Sequence, residues 1–548
     1  MAEQMPPGTV RLTATRDSTI KIIFHPKPTD DYDDPLNWSC WRKALHYSVV
    51  LFYVMVTFSA LSVDHGAWPE LQQDLKLSDG DMSIVGTLEY AGLGLTGIGL
   101  IPLAYRYGRR PIFLLSVAIQ FASAVGSAVI SDKAGNLVTD TLVGVGASVA
   151  MTIVPMTIAD LFFVHQFATM SGLFMFAQSI GAFLGPTIAG FLVDLKGWRW
   201  MRWGNAIALA VNFVVVLFLL EESTFVPNTR GHSDIKTKAK EPESFYNRPY
   251  ILFTKDDEPM DIVDMNRLMT PRAPPRVPEP SLDLPPEPKS LRERFALITN
   301  TQRPIKERFL APFVILISFP AVAYTALTYG GTMAWLEMMQ YIMLTRLDSL
   351  PYNYSPQEVG LFNLAPFLGH LLGCLVVAPL SDRWIVRLAH KNGGIYHPEM
   401  RLWITLPAAL FVCGGMLLFG IGIAQGIPCL WPTIGFAMFA FGFSICLSVA
   451  VAYLTDCYHN MIGDAFVGVA VARNALGAVA SIGIIPWIDS MGLQNVFILG
   501  TAISPLVLGI PVVLLYWGRK VRFVTADKYR HYSLAAIPPA NMKEMRVG

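Results

Sequence analysis

Charge is scarce in this chain. Lys, Arg, Asp and Glu supply 15% of its 548 residues, where a soluble globular chain carries about 25%. The shortfall excludes an ordinary soluble domain and places the chain among membrane proteins. Net charge is scarce too: 42 basic residues against 41 acidic ones leave +1, so no nucleic acid is expected as a partner. The six cysteines (Cys40, Cys374, Cys413, Cys429, Cys446 and Cys457) include no Cys-x-x-Cys pair. Most lie in apolar runs and read as small core hydrophobes, not as a disulfide framework or a zinc site. The ten histidines form no His-x-x-x-His cluster, so no metal is expected. No Gly-x-x-x-x-Gly-Lys-Ser/Thr loop occurs, which disfavours ATP-driven chemistry. The stretch from Met1 to Trp41 is polar, with no apolar core before a small-residue cleavage site. It reads as lacking a secretory signal, and the first apolar run is expected to drive insertion.

Long apolar runs are what the chain has in abundance. Hydrophobic residues make up 53% and the mean hydropathy is +0.43. Windows long enough to cross about 30 Å of hydrocarbon as helix recur along the sequence. Six fall near 45–64, 82–104, 111–130, 137–159, 168–193 and 203–220, and six more near 309–340, 357–380, 402–424, 429–454, 464–486 and 493–517. The fourth is the least apolar, because Asp140 and many small residues dilute it. This is an all-α membrane protein of twelve transmembrane helices in two six-helix bundles. Its parts are an N-terminal segment (1–44), one bundle (45–220), a linker (221–308), a second bundle (309–517) and a tail (518–548). The linker is polar, and "PRAPPRVPEPSLDLPPEPKS" at 271–290 is proline-dense; such a composition buries too little apolar surface to order itself.

Basic residues set the orientation. Arg106, Arg109 and Arg110 follow span 2, and Arg383, Arg387, Lys391 and Arg401 follow span 8. The tail adds Arg519, Lys520 and Arg522, so the positive-inside rule places both termini, and the linker, in the cytoplasm. Lys196, Arg199 and Arg202, in a loop assigned outside, dissent. Asn353 in "NYS" then faces outside as a glycosylation acceptor, whereas Asn37 in "NWS" stays inside and bare.

The halves echo one another. "PLAYRYGRRP" (Pro102–Pro111) follows span 2 and "PLSDRWIVR" (Pro379–Arg387) follows span 8, with Arg106 aligned on Arg383; "IAD" (Ile158–Asp160) and "LTD" (Leu454–Asp456) end spans 4 and 10. Repeated halves around a polar linker are how transporters build a site between two moving bundles.

On these motifs the chain resembles a fungal member of the major facilitator superfamily over essentially its whole length. Leu103, Ala104, Arg106, Gly108, Arg109 and Arg110 match the signature Gly-x-Leu-Ala-Asp-Arg-x-Gly-Arg-Arg, with Ile101 and Tyr105 where Gly and Asp are usual. The resemblance implies a major facilitator fold and a gate latched by that Asp, a latch in doubt in the N-half; Asp382 beside Arg383 keeps the acid in the C-half. "GAFLGPTIAG" resembles the signature of proton-coupled drug antiporters through Gly181, Gly185, Pro186 and Gly190. Gly181 and Gly185 share a face suited to close packing, and Pro186 removes a backbone donor. "DPLNWSCWRK" (Asp34–Lys43), "GWRW" (Gly197–Trp200), "EESTF" (Glu221–Phe225) and "RNALG" (Arg473–Gly477) resemble the same fungal facilitators, which export drugs or metabolites or take up polyamine-like cations.

Ionisable residues inside apolar helices mark a pathway by default. Arg473, Asn474, His370 and Gln178 fall near mid-bilayer, Glu89 nearer the outer face, and Asp64, Asp140 and Glu337 near outer ends. Asp140 stands where the family carries an arginine. Arg473 is expected to pair with a carboxylate across the halves, Glu89 first; His370 reads equally as a packed imidazole, and Gln178 and Asn474 as helix–helix contacts. The expectation is a monomeric, cofactor-free carrier in the plasma membrane, binding a small organic substrate and protons and exporting drugs, toxins or metabolites. The alternative is a proton-coupled importer of a solute such as a polyamine; an enzyme or sensor lacks the necessary catalytic clusters or appended domain. Deleting 271–290 is expected to leave transport within about twofold of wild type, because shortening a long loop changes its closure entropy little. Lost transport at normal surface abundance would instead give that segment a gating role.

Overall fold

The computed structural model describes residues 6–11, 13–16, 19–22, 33–224, 294–299, 309–349 and 351–535. Most of the 221–308 linker, including 271–290, lies outside the described residues. Among the described residues, eleven helices are long and apolar enough to cross a membrane: Cys40–Asp74, Gly80–Tyr107, Arg110–Val129, Lys133–Leu161, Thr169–Lys196 and Trp198–Leu219 in the first half, then Pro356–Leu375, Pro398–Ala424, Leu430–Cys457, Ile462–Met491 and Leu493–Val524 in the second. These are spans 1–6 and 8–12. Pro7 and Thr9 meet Arg522 at the end of span 12 on one face, the terminal face; the opposite one is the distal face.

Span 7 departs from the expected 309–340. Ala311–Ser318 and Pro320–Leu347 are separate helices bent by 95° at their junction. Pro320 offers no backbone donor and forces Phe319 out of the helical region, to φ −116° and ψ 105°. The first piece packs on span 11, where Gly468 sits against the Pro312 carbonyl, and the crossing helix begins at Pro320.

Local chemistry fixes several ends. Ser78 with Asp81, and Ser355 with Glu358, form capping boxes at the starts of spans 2 and 8. Gly197 and Gly492, at φ 79° and 80°, make the one-residue turns into spans 6 and 12, a further echo between the halves. Spans 4 and 10 are the most buried, with 83% and 72% of their apolar windows inside, and spans 6 and 12 the least, at 28% each. The two bundles thus share one internal plan. Contrary to expectation, span 4 is more apolar than spans 2, 5 and 8, and its small residues serve its central position: Gly144 lies against the Glu89 carbonyl of span 2, and Gly146 against Ser116 and Gln120 of span 3. Small residues let the central helix approach its neighbours.

Strands appear outside the bundles. β1 (Val10–Arg11) pairs antiparallel with β4 (Ile395–Tyr396), and β2 (Thr13–Arg16) with β3 (Thr19–Ile22). The start of the chain therefore docks on the loop between spans 8 and 9. Arg522, at the end of span 12, donates to the Pro7 carbonyl and to Thr9 Oγ1 (3.2 Å). Gly8, at φ 80°, rests on the Asp456 carbonyl with no room for a Cβ.

Candidate functional site: a cavity between the halves

A cavity of about 110 Å³ lies between the bundles, from mid-span toward the distal face. That is room for several waters, each needing about 10–15 Å³ on this measure. The first half contributes Phe58, His65, Trp68, Glu89, Tyr90 and Met151, and the second Met333, Glu337, Gln340, Tyr341, Arg473 and Ser481. Spans 2 and 11 bring their sides together: Gly477 packs on the Tyr90 ring, and Gly94 on Asn474.

Arg473 is 1% exposed. Its Nε and Nη2 donate to Asn474 Oδ1 (3.1 and 2.7 Å), Nη1 lies 3.0 Å from Met151 Sδ, and the guanidinium covers the Tyr329 ring at 4.7 Å. The expected pair with Glu89 is absent: both line the cavity, but no ion pair joins them among the described residues. The neighbouring amide and the thioether occupy the guanidinium's donors instead. Glu89 faces the cavity, and the charges nearest it belong to Asp140, Glu337 and Asp64. Glu337 lies beside the Tyr90 hydroxyl. Gln340, one turn further on, is 6% exposed and forms no hydrogen bond among the described residues.

Asp140 belongs to a different cluster. Its Oδ2 accepts from Asn136 Nδ2 (2.7 Å), and Asn136 Oδ1 accepts from Arg202 Nη2 (2.7 Å). Arg202, 1% exposed, donates twice to Asp64 (3.1 and 2.8 Å) and once to the Ser127 carbonyl (3.0 Å). One of the three dissenting basic residues, Arg202, is thus a buried bundle residue, whereas Lys196 and Arg199 remain exposed. Arg202 also supplies, from span 6, the cation that Asp140 lacks on span 4.

Like Asp140, three more expected residues are not among those lining the cavity: Asn474, which binds Arg473, and His370 and Gln178. His370 packs between Phe183 and Phe443 (ring centroids 6.4 and 5.7 Å), with both nitrogens buried beside the Met175 backbone. Gln178 is buried with its Oε1 unbonded. Of the antiporter-like motif, Gly181 and Gly185 press on Met55, Phe58 and Ser59 of span 1, and Gly190 reaches the Pro356 carbonyl in the other half. A π-helical turn, Ile180–Leu184, precedes Pro186 and absorbs its missing donor. Span 8 has a matching π turn, Gly373–Val377.

At the terminal face the arginine motif is built around a residue the sequence reading left unassigned. Glu222, after span 6, accepts from the backbone N–H groups of Arg109 (3.0 Å) and Arg110 (3.1 Å). Gly108, at φ 96°, lies against that carboxylate where no Cβ fits. Arg109 pairs with Asp160 at 2.7 Å, Arg110 donates to the Leu217 carbonyl at 2.6 Å, and Arg106 covers the Tyr107 ring at 5.5 Å. Tyr105, in the place of the usual Asp, carries its hydroxyl to Gly463 in the first turn of span 11. A neutral group thus makes the contact between halves that the resemblance assigns to a carboxylate.

In the C-half, Asp456 accepts from Arg401 Nε (2.6 Å) and Tyr396 (2.5 Å). Arg522 donates to Glu399 at 2.9 and 2.7 Å. Asp382 and Arg383 stand on Ala378–Lys391; the Asp382 side chain lies outside the described set, and Arg383 is exposed. Arg401, not Arg383, is the partner of the Asp456 echo. Asn353, at φ 52°, lies in the loop between spans 7 and 8 on the distal face.

Two six-helix bundles with one internal plan, closing on a cavity that holds a buried fixed charge, define a membrane carrier. The chain belongs to the Major Facilitator Superfamily, whose sequence profile matches residues 45–482. It is a multi-pass transporter, not an enzyme. An uncharacterized MFS-type transporter of Schizosaccharomyces pombe is 27% identical, covering 95% of this chain and 94% of that protein. The efflux pump radE of Floropilus chiversii is 23% identical over 90% and 83%. Among solved structures, the proton:xylose symporter XylE superposes with a TM-score of 0.56 at 14% identity, covering 86% of this chain and 95% of that one.

Proposed function

We propose that the chain is a proton-coupled exporter of small organic solutes, a monomer of the plasma membrane with its terminal face in the cytoplasm. The observation that carries this is Glu89: a titratable carboxylate turned into the cavity between the halves, with no ion-pair partner among the described residues. Such a group is free to bind a proton on one side and release it on the other. Arg473 stays charged and serves as a fixed field, not as the proton carrier. The antiporter-like Gly181–Gly190 stretch and the likeness to an efflux pump support export.

The lining favours amine-bearing solutes within that class. Glu89 and Glu337 face the cavity from opposite halves, while Phe58, Trp68, Tyr90 and Tyr341 offer aromatic faces to a cation. An importer of such a cation, polyamine-like in chemistry, uses the same groups with the opposite sign of flux.

The test is flux of a fluorescent organic amine in vesicles of defined orientation under an imposed pH gradient. Export predicts movement out of the terminal side against the proton flow; flux indifferent to the gradient would remove proton coupling, and the reverse sign would make the chain an importer. The orientation has its own check. Asn353 is expected to carry a glycan, seen as a mobility shift removed by glycosidase and absent from Asn353→Gln; an unglycosylated Asn353 beside a glycosylated Asn37 would invert the topology.

A further inference from the structure

The cavity does not run unobstructed to the distal face. Above it lies a second space of about 320 Å³, lined by Gln72, Thr345, Arg346, Asp348, Ile488 and Asp489 among others. Three residues line both spaces: Trp68, Tyr341 and Leu344. Trp68 stands on the last piece of span 1 in the first half (Trp68–Asp74), and Tyr341 on span 7 in the second. Their rings meet edge to face, with centroids 6.4 Å apart and planes at 85°. His65 backs the Trp68 ring from the cavity side at 5.9 Å, and Glu337 lies one helical turn below Tyr341.

We propose that Trp68 and Tyr341 form the distal gate of the carrier, a two-ring partition between an outer vestibule and the solute cavity. The inference rests on that cavity being the transport site. A partition with one leaf on each half opens whenever the halves part at this face and closes when they meet. An edge-to-face contact suits the task, because it is favourable in one geometry yet weak enough to break thermally. The rings also exclude water from Glu89 and Glu337 while shut, so distal access to the titratable groups depends on the same two side chains. Leu344 fills the remaining side without bridging the halves.

The test reads access directly and needs neither substrate nor gradient. Ala182 lines the cavity below the pair and becomes the reporter as Ala182→Cys. An impermeant cationic thiol reagent is added from the distal side, and labelling at residue 182 is followed by peptide mass spectrometry. Buried Cys374 is the folding reference, since its labelling stays slow in any folded variant. Truncating either ring, by Trp68→Ala or Tyr341→Ala, is expected to raise the labelling rate at least about tenfold, because thiol reactivity follows access. Trp68→Phe and Tyr341→Phe, which keep a ring in place, are expected to leave it within about twofold. If either alanine variant folds poorly, the other carries the comparison. Rates unchanged in a folded alanine variant would overturn the gate. Proton-indifferent flux, by contrast, would remove the coupling proposal and leave this result standing.

Discussion

Arg202→Ala is expected to destabilise the first bundle by about 3 kcal/mol, the lower end of the range for removing one partner of a buried ion pair. The lower end applies because Asp64 keeps 25% of its side chain exposed and can recover some hydration, whereas Arg202 is 1% exposed. Losing the guanidinium strips two donors from Asp64, one from the Ser127 carbonyl and one from Asn136, which in turn orients toward Asp140. It also leaves Asp64 and Asp140, which feel one another's charge, without their nearby cation. Arg202→Lys restores the charge but not the fork and should recover part of the loss. The double variant Arg202→Met, Asp64→Asn should be less unstable than the two single effects summed, since neither member of the Asp64–Arg202 pair is then left without the other. Thermal unfolding in detergent, followed by tryptophan fluorescence, gives the ranking. An Arg202→Ala variant melting with wild type would show that the pair is solvated and inconsequential.

Glu89→Gln is expected to cut gradient-driven transport at least about tenfold while leaving solute exchange within about threefold, because only the titratable step is lost from the pathway. The amide keeps the shape and the hydrogen-bonding reach of the side chain, so binding need not suffer. Arg473→Ala is expected to lower both activities together. It removes the charge held by Asn474 and Met151 and the cover over Tyr329, and thereby the packing of span 11 against the first half. Both variants are compared with wild type at equal surface abundance, in vesicles with and without a pH gradient. A fully coupled Glu89→Gln carrier would move the proton role elsewhere, with Glu337 and then Asp140 next to test, and would leave transport itself untouched.

The helices were legible because a lipid solvent demands long apolar windows, and these need no partner to be seen. The echo of "IAD" and "LTD" was legible for a similar reason: Asp160 and Asp456 sit at equivalent helix ends and each finds an arginine. What stayed hidden depends on pairs distant in sequence. Arg202 reads as a stray loop charge until Asp64, 138 residues away, is seen to bind it. Arg401 reads as one of several basic residues until it meets Asp456. Glu337 was placed near an outer end because span 7 was read as 309–340; the crossing helix runs Pro320–Leu347, which carries Glu337 deeper and onto the cavity wall. The Glu89–Arg473 pair failed because depth along a helix says nothing of rotation, and Asn474 beside Arg473 supplies a nearer acceptor. The break in span 7 did leave a mark, in Pro320, but hydropathy alone passes over it.

The docking of the first strand also sets an order of assembly. β1 needs β4 for its backbone hydrogen bonds, and Pro7 and Thr9 need the Arg522 side chain. A ribosome moving at about 5–20 residues per second takes roughly half a minute to a minute and a half between making these residues and making Arg522. Until β4 is made the strand's edge is open to chaperones or to other strands, and until Arg522 is made Pro7 and Thr9 lack their anchor. Its final anchoring records that the twelfth helix has been made, so a nascent carrier truncated before span 12 would hold its N-terminal segment by β4 alone and should be more open to proteases there.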